Sequence, residues 1–325
     1  MNLLEAIVTG ITQGAMIALV ALGYTMVYGV LKLINFAHSE VFMMAAYFGL
    51  FVITALGGTG SPLIAGIGGT VIAMIGAATL GIGVELVAYR PLRTGRGPLA
   101  ALLGVLRKNK SKSAGASRTR RGALLRITPL VTALGMSVLL QNLAQLLFTA
   151  RFRPYPQLLT GTFKAGSVTL SASRVLILVT AVIVMVALEL IVKRTWFGKA
   201  MRALSANEEA ARLMGIRTSR VISMTFALGS TLAALGAVLF CLDQSQVYPT
   251  MGVIIGTRAF VAAVLGGIGS ITGAMLGGLL IGIIGELVKL TDYSGGVDVL
   301  VFLVLILVLL VRPAGLLGSS RVEKV

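Results

Sequence analysis

Read along its length, the chain is a succession of long apolar runs separated by short polar ones. A helix that crosses a bilayer takes about 20 mainly apolar residues. Runs of that scale occupy Ile7 to Val30, Ser39 to Leu56, Pro62 to Ala88, Pro129 to Thr149, Val175 to Val192, Val221 to Leu242, Val253 to Val288 and Val297 to Val311. The pattern predicts an all-α, polytopic membrane protein of about eight or nine transmembrane helices. The first run has no basic segment before it and no small-residue cleavage site after it, so it is expected to stay as a helix rather than be removed as a signal.

One run resists a simple reading. Val253 to Val288 is too long for one crossing and holds the break Gly266-Gly267-Ile268-Gly269-Ser270. It is either two crossings or a re-entrant half-helix followed by a full one, and non-helical backbone at membrane depth survives only where protein or a watery cavity covers it. Charge helps here. The basic residues cluster from Arg90 to Arg126, from Lys193 to Arg220, and at Arg312, Arg321 and Lys324, always between or after apolar runs. Cytoplasmic loops carry such an excess. If all three clusters are cytoplasmic, the N-terminus and Asp243 lie outside and an odd number of crossings joins Met251 to Arg312. Two crossings for 253–288 satisfy that count.

Composition fits a bilayer solvent: 57% of the 325 residues are hydrophobic and 12% charged, too few polar groups to coat a soluble domain of this length. The net charge of +17 would suit a nucleic-acid partner if it formed one surface, but its division among loops makes it a topology signal, and no nucleic acid is expected. A single cysteine, Cys241, excludes an internal disulfide, and a single histidine excludes a histidine-based metal site. No GxxxxGK[ST] phosphate loop is present, so the chain is not expected to hydrolyse ATP itself. The whole chain, 1–325, reads as one transmembrane domain. Within it, 104–126 is rich in Lys, Arg, Ser and Gly without aromatics, the composition of a disordered, lipid-facing insertion. The other long cytoplasmic segment is 196–220.

That second segment predicts a short helix. Ser205 is a candidate N-cap with Glu208 at capping-box spacing, and Gly215 stands where a C-cap belongs. Asn207, Glu208, Glu209, Ala210 and Ala211 lie between them. On the residues alone this is either a connector or a docking element. Further candidates are polar groups within apolar surroundings. Asn35, His38 and Glu40 sit between the first two runs, where they either line a pathway or gate, or form an interfacial turn with Asn35 capping a helix. Gln141 and Asn142 are amides that hydrocarbon penalises, suited either to a pathway or to bonding between helices. Gly266, Gly267, Gly269 and Ser270 either expose backbone dipoles to a zwitterion or permit close packing. Glu85, Glu189 and Glu286 lie near run ends, where snorkelling or pairing with basic neighbours is expected rather than a proton relay.

Glu209-Ala210-Ala211 followed by Gly215 resembles the EAA loop of ABC importer permeases. GYTMVYGVLKLINFAHSEVFMMAAYFG (Gly23 to Gly49) and RAFVAAVLGGIGSITGAMLGGLLIG (Arg258 to Gly282) resemble the branched-chain amino acid permease family, as do VAYRPLR and PLVTALGMSVLLQN, so the likeness spans nearly the whole chain. Two features depart from it: the proline that many importers carry downstream of the EAA glycine is absent near Thr225, and the stretch Leu106 to Arg126 is longer and more basic. The resemblance implies a permease subunit of an ATP-driven importer in the cell inner membrane, working by alternating access. It makes 205–215 the coupling helix on which cytoplasmic ATP-binding subunits dock. It also implies a second, related permease subunit, an external solute-binding protein, and ATP and Mg held by the partners with no cofactor in this chain. The implied cargo is leucine, isoleucine or valine, with urea or short amides as the alternative; an ion-coupled secondary transporter or channel is the competing class.

Overall fold

The computed structural model describes residues 3–57, 61–94, 117–158, 161–165, 168–291 and 294–318. It is a helical bundle whose helices are α1 (Leu3–Leu31), α2 (His38–Gly57), α3 (Pro62–Val84), α4 (Arg90–Thr94), α5 (Ser117–Phe148), α6 (Ala172–Arg194), α7 (Trp196–Ala206), α8 (Glu208–Leu213), α9 (Thr218–Gln244), α10 (Met251–Gly266), α11 (Ile271–Val288) and α12 (Val297–Val311). Among the described residues seven helices are long and apolar enough to cross a membrane, and α10 and α12 are shorter apolar helices. A π turn, Glu85–Tyr89, joins α3 to α4. Of the basic insertion, 104–116 lies outside the described residues, and from Ser117 the backbone runs helically into the span.

Helix α1 is the axis of the bundle, buried almost continuously from Gly14 to Val27. Without a hydrophobic drive between helices in lipid, close backbone packing holds them together. Gly10 and Gly14 of α1 meet Gly278 and Gly282 of α11, each pair spaced for a GxxxG seam. A Cβ on Gly282 would stand 2.2 Å from the Gly14 nitrogen, and one on Gly14 2.7 Å from Leu279 Cα. The outer helices carry the apolar surface that lipid covers. Ile64, Ile67 and Ile75 on α3, Val179, Val182 and Ile183 on α6, and Ile306 and Leu310 on α12 are all exposed.

These contacts fix the direction of each helix. Along α1, Gly23 lies against Gly229 of α9 while Gln13 bonds Asp243 at the far end of α9, so the two run antiparallel. Gly14 against Leu279 and Gly29 near Gly269 set α11 antiparallel to α1 as well. One end of the bundle therefore gathers the C-terminus of α1, Arg93 bonded to Ser219, helices α7 and α8, and the turn between α10 and α11. The other end carries a short antiparallel pairing of β1 (Arg153–Pro154) with the distant β4 (Gln246–Val247) and a small hairpin of β2 (Thr162–Ala165) with β3 (Val168–Ser171). Among the described residues, Arg93, the basic segment Lys193 to Arg220 and Arg312 fall at the end opposite Asp243, as their spacing predicts.

The run 253–288 resolves into two antiparallel helices, α10 and α11, hinged at Gly267–Ser270. Gly267 and Gly269 take positive φ values of +104° and +97°, which side chains rarely adopt, and Ser270 caps α11 by accepting from the Gly273 N–H at 3.1 Å. The two C-terminal carbonyls of α10, Leu265 and Gly266, accept from the Leu316 and Leu317 N–H groups after α12. Thus α10, α11 and α12 make the odd count that a basic C-terminal end requires.

At the hairpin end, an inter-helix clasp replaces hydrophobic contact. Arg174 Nη1 donates to Thr9 Oγ1 at 3.1 Å, Arg174 Nε lies 3.6 Å from Asp243 Oδ1, and Gln13 Nε2 donates to Asp243 Oδ2 at 2.8 Å. One carboxylate ties α1, α6 and α9. Asp243→Asn is expected to cost about 1–3 kcal/mol, because it discharges a largely buried acceptor and leaves Arg174 without its counter-charge. A thermal melt of the detergent-solubilised protein reads it, and an unchanged midpoint would show that the clasp contributes nothing.

Candidate functional site

The predicted cytoplasmic helix is two helices. An amphipathic α7 runs through Ser205 to Ala206, burying Gly198, Ala200, Met201 and Leu204. Ser205 is therefore not the N-cap expected of it, because the apolar face of α7 holds that residue inside a helix. The cap of α8 is Asn207, whose Oδ1 accepts from the Ala210 N–H at 3.0 Å. Glu208 and Glu209 occupy the first turn of α8, where the positive end of the helix favours them. Its other end closes at Gly215, φ +83°, with the Ile216 N–H donating to the Ala211 carbonyl at 3.0 Å, a Schellman closure. Ala211 is buried while Glu209 and Ala210 are exposed. Leu213 and Met214 are 88% and 83% exposed at the tip. A short, firmly capped helix presenting a bare apolar tip beyond the bundle has the form of a docking element.

The turn before α2 places three nominated side chains in protein rather than at a surface. Asn35, His38 and Glu40 are all buried. Asn35 does not cap α2 through its side chain; its Oδ1 accepts from Tyr89 Oη at 3.1 Å, anchoring the turn to the π turn after α3. His38 is a wedge between α1 and α9. Its ring lies edge-on to Tyr24 with centroids 4.8 Å apart, and a Cβ on Gly23 would stand 2.3 Å from His38 Nε2 and 2.9 Å from the Gly229 carbonyl oxygen. Gly23→Ala is expected to displace that ring and destabilise the protein by about 1–3 kcal/mol, measured by thermal unfolding; a melt like that of the parent would mean that the wedge relaxes freely.

Glu40 faces another way, toward α5 and the start of α10. Its Oε1 accepts from Ser137 Oγ at 3.3 Å, while Oε2 is buried without a hydrogen-bond partner. Ser137 lies midway along the apolar part of α5, Thr128–Phe148, so this carboxylate sits near mid-membrane. Helix α10 begins at the same depth. A Cβ on Gly252 would be 2.4 Å from the Ser39 carbonyl oxygen and 3.2 Å from Glu40 Oε2, and one on Gly256 2.2 Å from Ser39 Cβ. From β4 at the hairpin end to Met251 the chain descends without helix, so α10, 16 residues long, spans only the inner part of the bundle. This break escaped the sequence reading, which looked for it at Gly266. Pro249, with Gly252 and Gly256 beyond it, was the available signal.

The remaining candidates lie elsewhere. Gly266, Gly267, Gly269 and Ser270 stand at the end of the bundle that carries α8; a Cβ on Gly266 would be 2.0 Å from the Gly273 oxygen and one on Gly267 2.4 Å from the Gly318 nitrogen, whereas Gly269 has nothing within 4 Å and answers to its positive φ alone. Asn142 donates back to its own helix at the Val138 carbonyl, 2.7 Å, on an exposed face, and Gln141 is half-buried beside it. Neither meets Glu40. Glu189 and Glu286 pair with Lys193 and Lys289, as expected. Glu85 does not follow them in the described contacts: fully buried in the π turn, it accepts from Ser223 Oγ at 2.9 Å.

Sequence comparison bears on what such a bundle does. Residues 6–310 match the family described as branched-chain amino acid transport system / permease component. The chain is 39% identical over 332 residues to the high-affinity branched-chain amino acid transport system permease protein BraD of Pseudomonas aeruginosa, covering 99% of this chain and 98% of that one. It is 37% identical over 334 residues to LivH of Escherichia coli K12, covering 99% and 97%. A shorter likeness, 32% over 142 residues, reaches the ribose import permease RbsC of Bacillus subtilis, 41% of this chain and 44% of that one. No solved structure matches. With the match running almost end to end over a multi-pass helical bundle, this chain belongs to the branched-chain amino acid permease family of ABC importers.

Proposed function

We propose that this protein is the membrane-spanning subunit of an ATP-driven importer of branched-chain amino acids, and that α8 is its coupling helix. The observation that carries the reading is the exposed Leu213–Met214 tip on a helix closed at both ends by Asn207 and Gly215, in a chain of this family. Such a helix moves as a rigid peg. A cytoplasmic ATP-binding subunit that receives the tip can push or draw α7 and α8, and α7 packs on α1 and α9, the two most buried helices of the bundle. ATP and Mg belong to that partner. The basic end of the bundle is the cytoplasmic one, which puts the hairpin end and Arg174–Asp243 on the face where a solute-binding protein delivers cargo.

The pathway runs past Glu40 and the start of α10, between this chain and a related second permease in the inner membrane. Asn35 and His38 act indirectly, fixing the turn that presents Glu40. Reconstitution tests the reading. Proteoliposomes holding this chain, its second permease, its ATPase and leucine-loaded binding protein are expected to accumulate leucine only with ATP. Gradient-driven uptake by this chain alone would make it a secondary transporter, and ATP-driven uptake of urea or acetamide in place of leucine would replace the cargo.

A further inference from the structure

We propose that Glu40 and the N-terminus of α10 form a mid-membrane receptor for the charged end of an α-amino acid, with the carboxylate of Glu40 taking the ammonium and the helix start facing the substrate carboxylate. The inference deepens the importer reading and rests on it. Three observations meet at one place. Glu40 is 1% exposed, and its Oε2 has no hydrogen-bond partner. An anionic oxygen held in so dry a setting is costly unless a cation or donor completes it. The start of α10 carries no side-chain cap; its Met251 and Val253 N–H groups donate to the Tyr248 and Thr250 carbonyls, so what the start of this 16-residue helix offers an anion is its dipole rather than a set of open donors. The glycine at position 252 removes the side chain that would otherwise separate the two, leaving Glu40 Oε2 3.2 Å from where its Cβ would stand.

A zwitterion matches that pairing of charges; a sugar does not. Broken helices elsewhere use the same chemistry, with a half-helix start turned to an anionic group at the membrane midplane. Ser137, which donates to Oε1, closes the site from α5, so access requires that α5 part from α2.

The test uses the assembled complex in detergent, without the binding protein, and measures equilibrium binding of radiolabelled leucine with two competitors. 3-Methylbutylamine lacks the carboxylate, and 4-methylpentanoate lacks the ammonium. For the parent complex leucine should compete best, the amine next and the acid least. Glu40→Gln should weaken leucine binding about 10- to 100-fold, the scale of a lost charge-assisted bond, and erase the advantage of the amine over the acid. Glu40→Asp, which keeps the charge, should bind more weakly than the parent with the ranking preserved. Unchanged leucine binding in Glu40→Gln would reduce Glu40 to a cap of α10 and overturn the proposal. So would a Glu40→Asp complex that assembles yet no longer ranks the amine above the acid. A parent complex that imports leucine but ranks the competitors without regard to charge also overturns it, whereas a parent that imports no leucine at all fails the importer reading instead.

Discussion

Glutamate at both Leu213 and Met214 is expected to abolish ATP-driven uptake while leaving the protein folded in the membrane. Both side chains are almost wholly exposed, so nothing in the bundle depends on them. In a docked complex they become the buried centre of an interface, and each contributes about 1.5–3 kcal/mol by leaving water. Losing both, and burying two carboxylates in their place, lowers the ATPase affinity by at least about 100-fold. The clearest assay is co-purification: the variant should elute from gel filtration as the parent permease does, without bound ATPase, and its proteoliposomes should take up leucine no faster than ATP-free controls. Gly215→Asp approaches the same helix by its backbone. At φ +83° a side chain is strained, and the Schellman closure that stiffens the tip is weakened. Retained ATPase binding and uptake in both variants would remove α8 from the coupling mechanism.

Much of this architecture was legible in the sequence because a bilayer leaves few solutions for the backbone. Apolar runs of sufficient length must be helices: Val221 to Leu242 sits inside α9, and Pro62 to Ala88 covers α3 and most of the π turn that continues it. The division of basic residues gave the direction of each crossing. Local chemistry was less legible. Ser205 and Glu208 have capping-box spacing, yet the hydrophobic face formed by Met201 and Leu204 carries α7 past Ser205 and hands the cap to Asn207. The glycines at 266–270 announced a break but left open whether it exposes backbone or permits close packing; Gly266 packs on Gly273, and the last carbonyls of α10 accept from Leu316 and Leu317. The break that matters for Glu40 lies at Met251 and depends on Ser39 approaching Gly252 from another helix, a tertiary fact that no local pattern states. Glu85 was expected to snorkel or to pair with a cation; instead it is buried in the π turn and accepts from Ser223.

Glycine is where sequence and packing diverge most, and it yields the second large effect. Gly282→Ala is expected to prevent folding, although alanine is the better helix former by about 1 kcal/mol. The added methyl would sit 2.2 Å from the Gly14 nitrogen, 2.3 Å from Gly14 Cα and 2.4 Å from the Gly10 oxygen, all backbone atoms of α1. A side chain would yield by changing rotamer; a buried central helix cannot. To admit the methyl, α11 must move away from α1 along its length, and the matched contacts at Gly278 and Ala18 open with it. The resulting loss exceeds about 4 kcal/mol, enough to unfold a marginal protein. Gly83→Ala supplies the contrast. Gly83 lies near the end of α3 with nothing within 4 Å of a new Cβ, so propensity alone operates and the variant should be neutral or slightly more stable. Membrane-extracted yield and gel-filtration homogeneity distinguish the two: loss at Gly282 with none at Gly83 assigns the effect to the α1–α11 seam. Equal behaviour of both variants would mean that the helices slide past one another, and the bundle would not be held by close backbone packing.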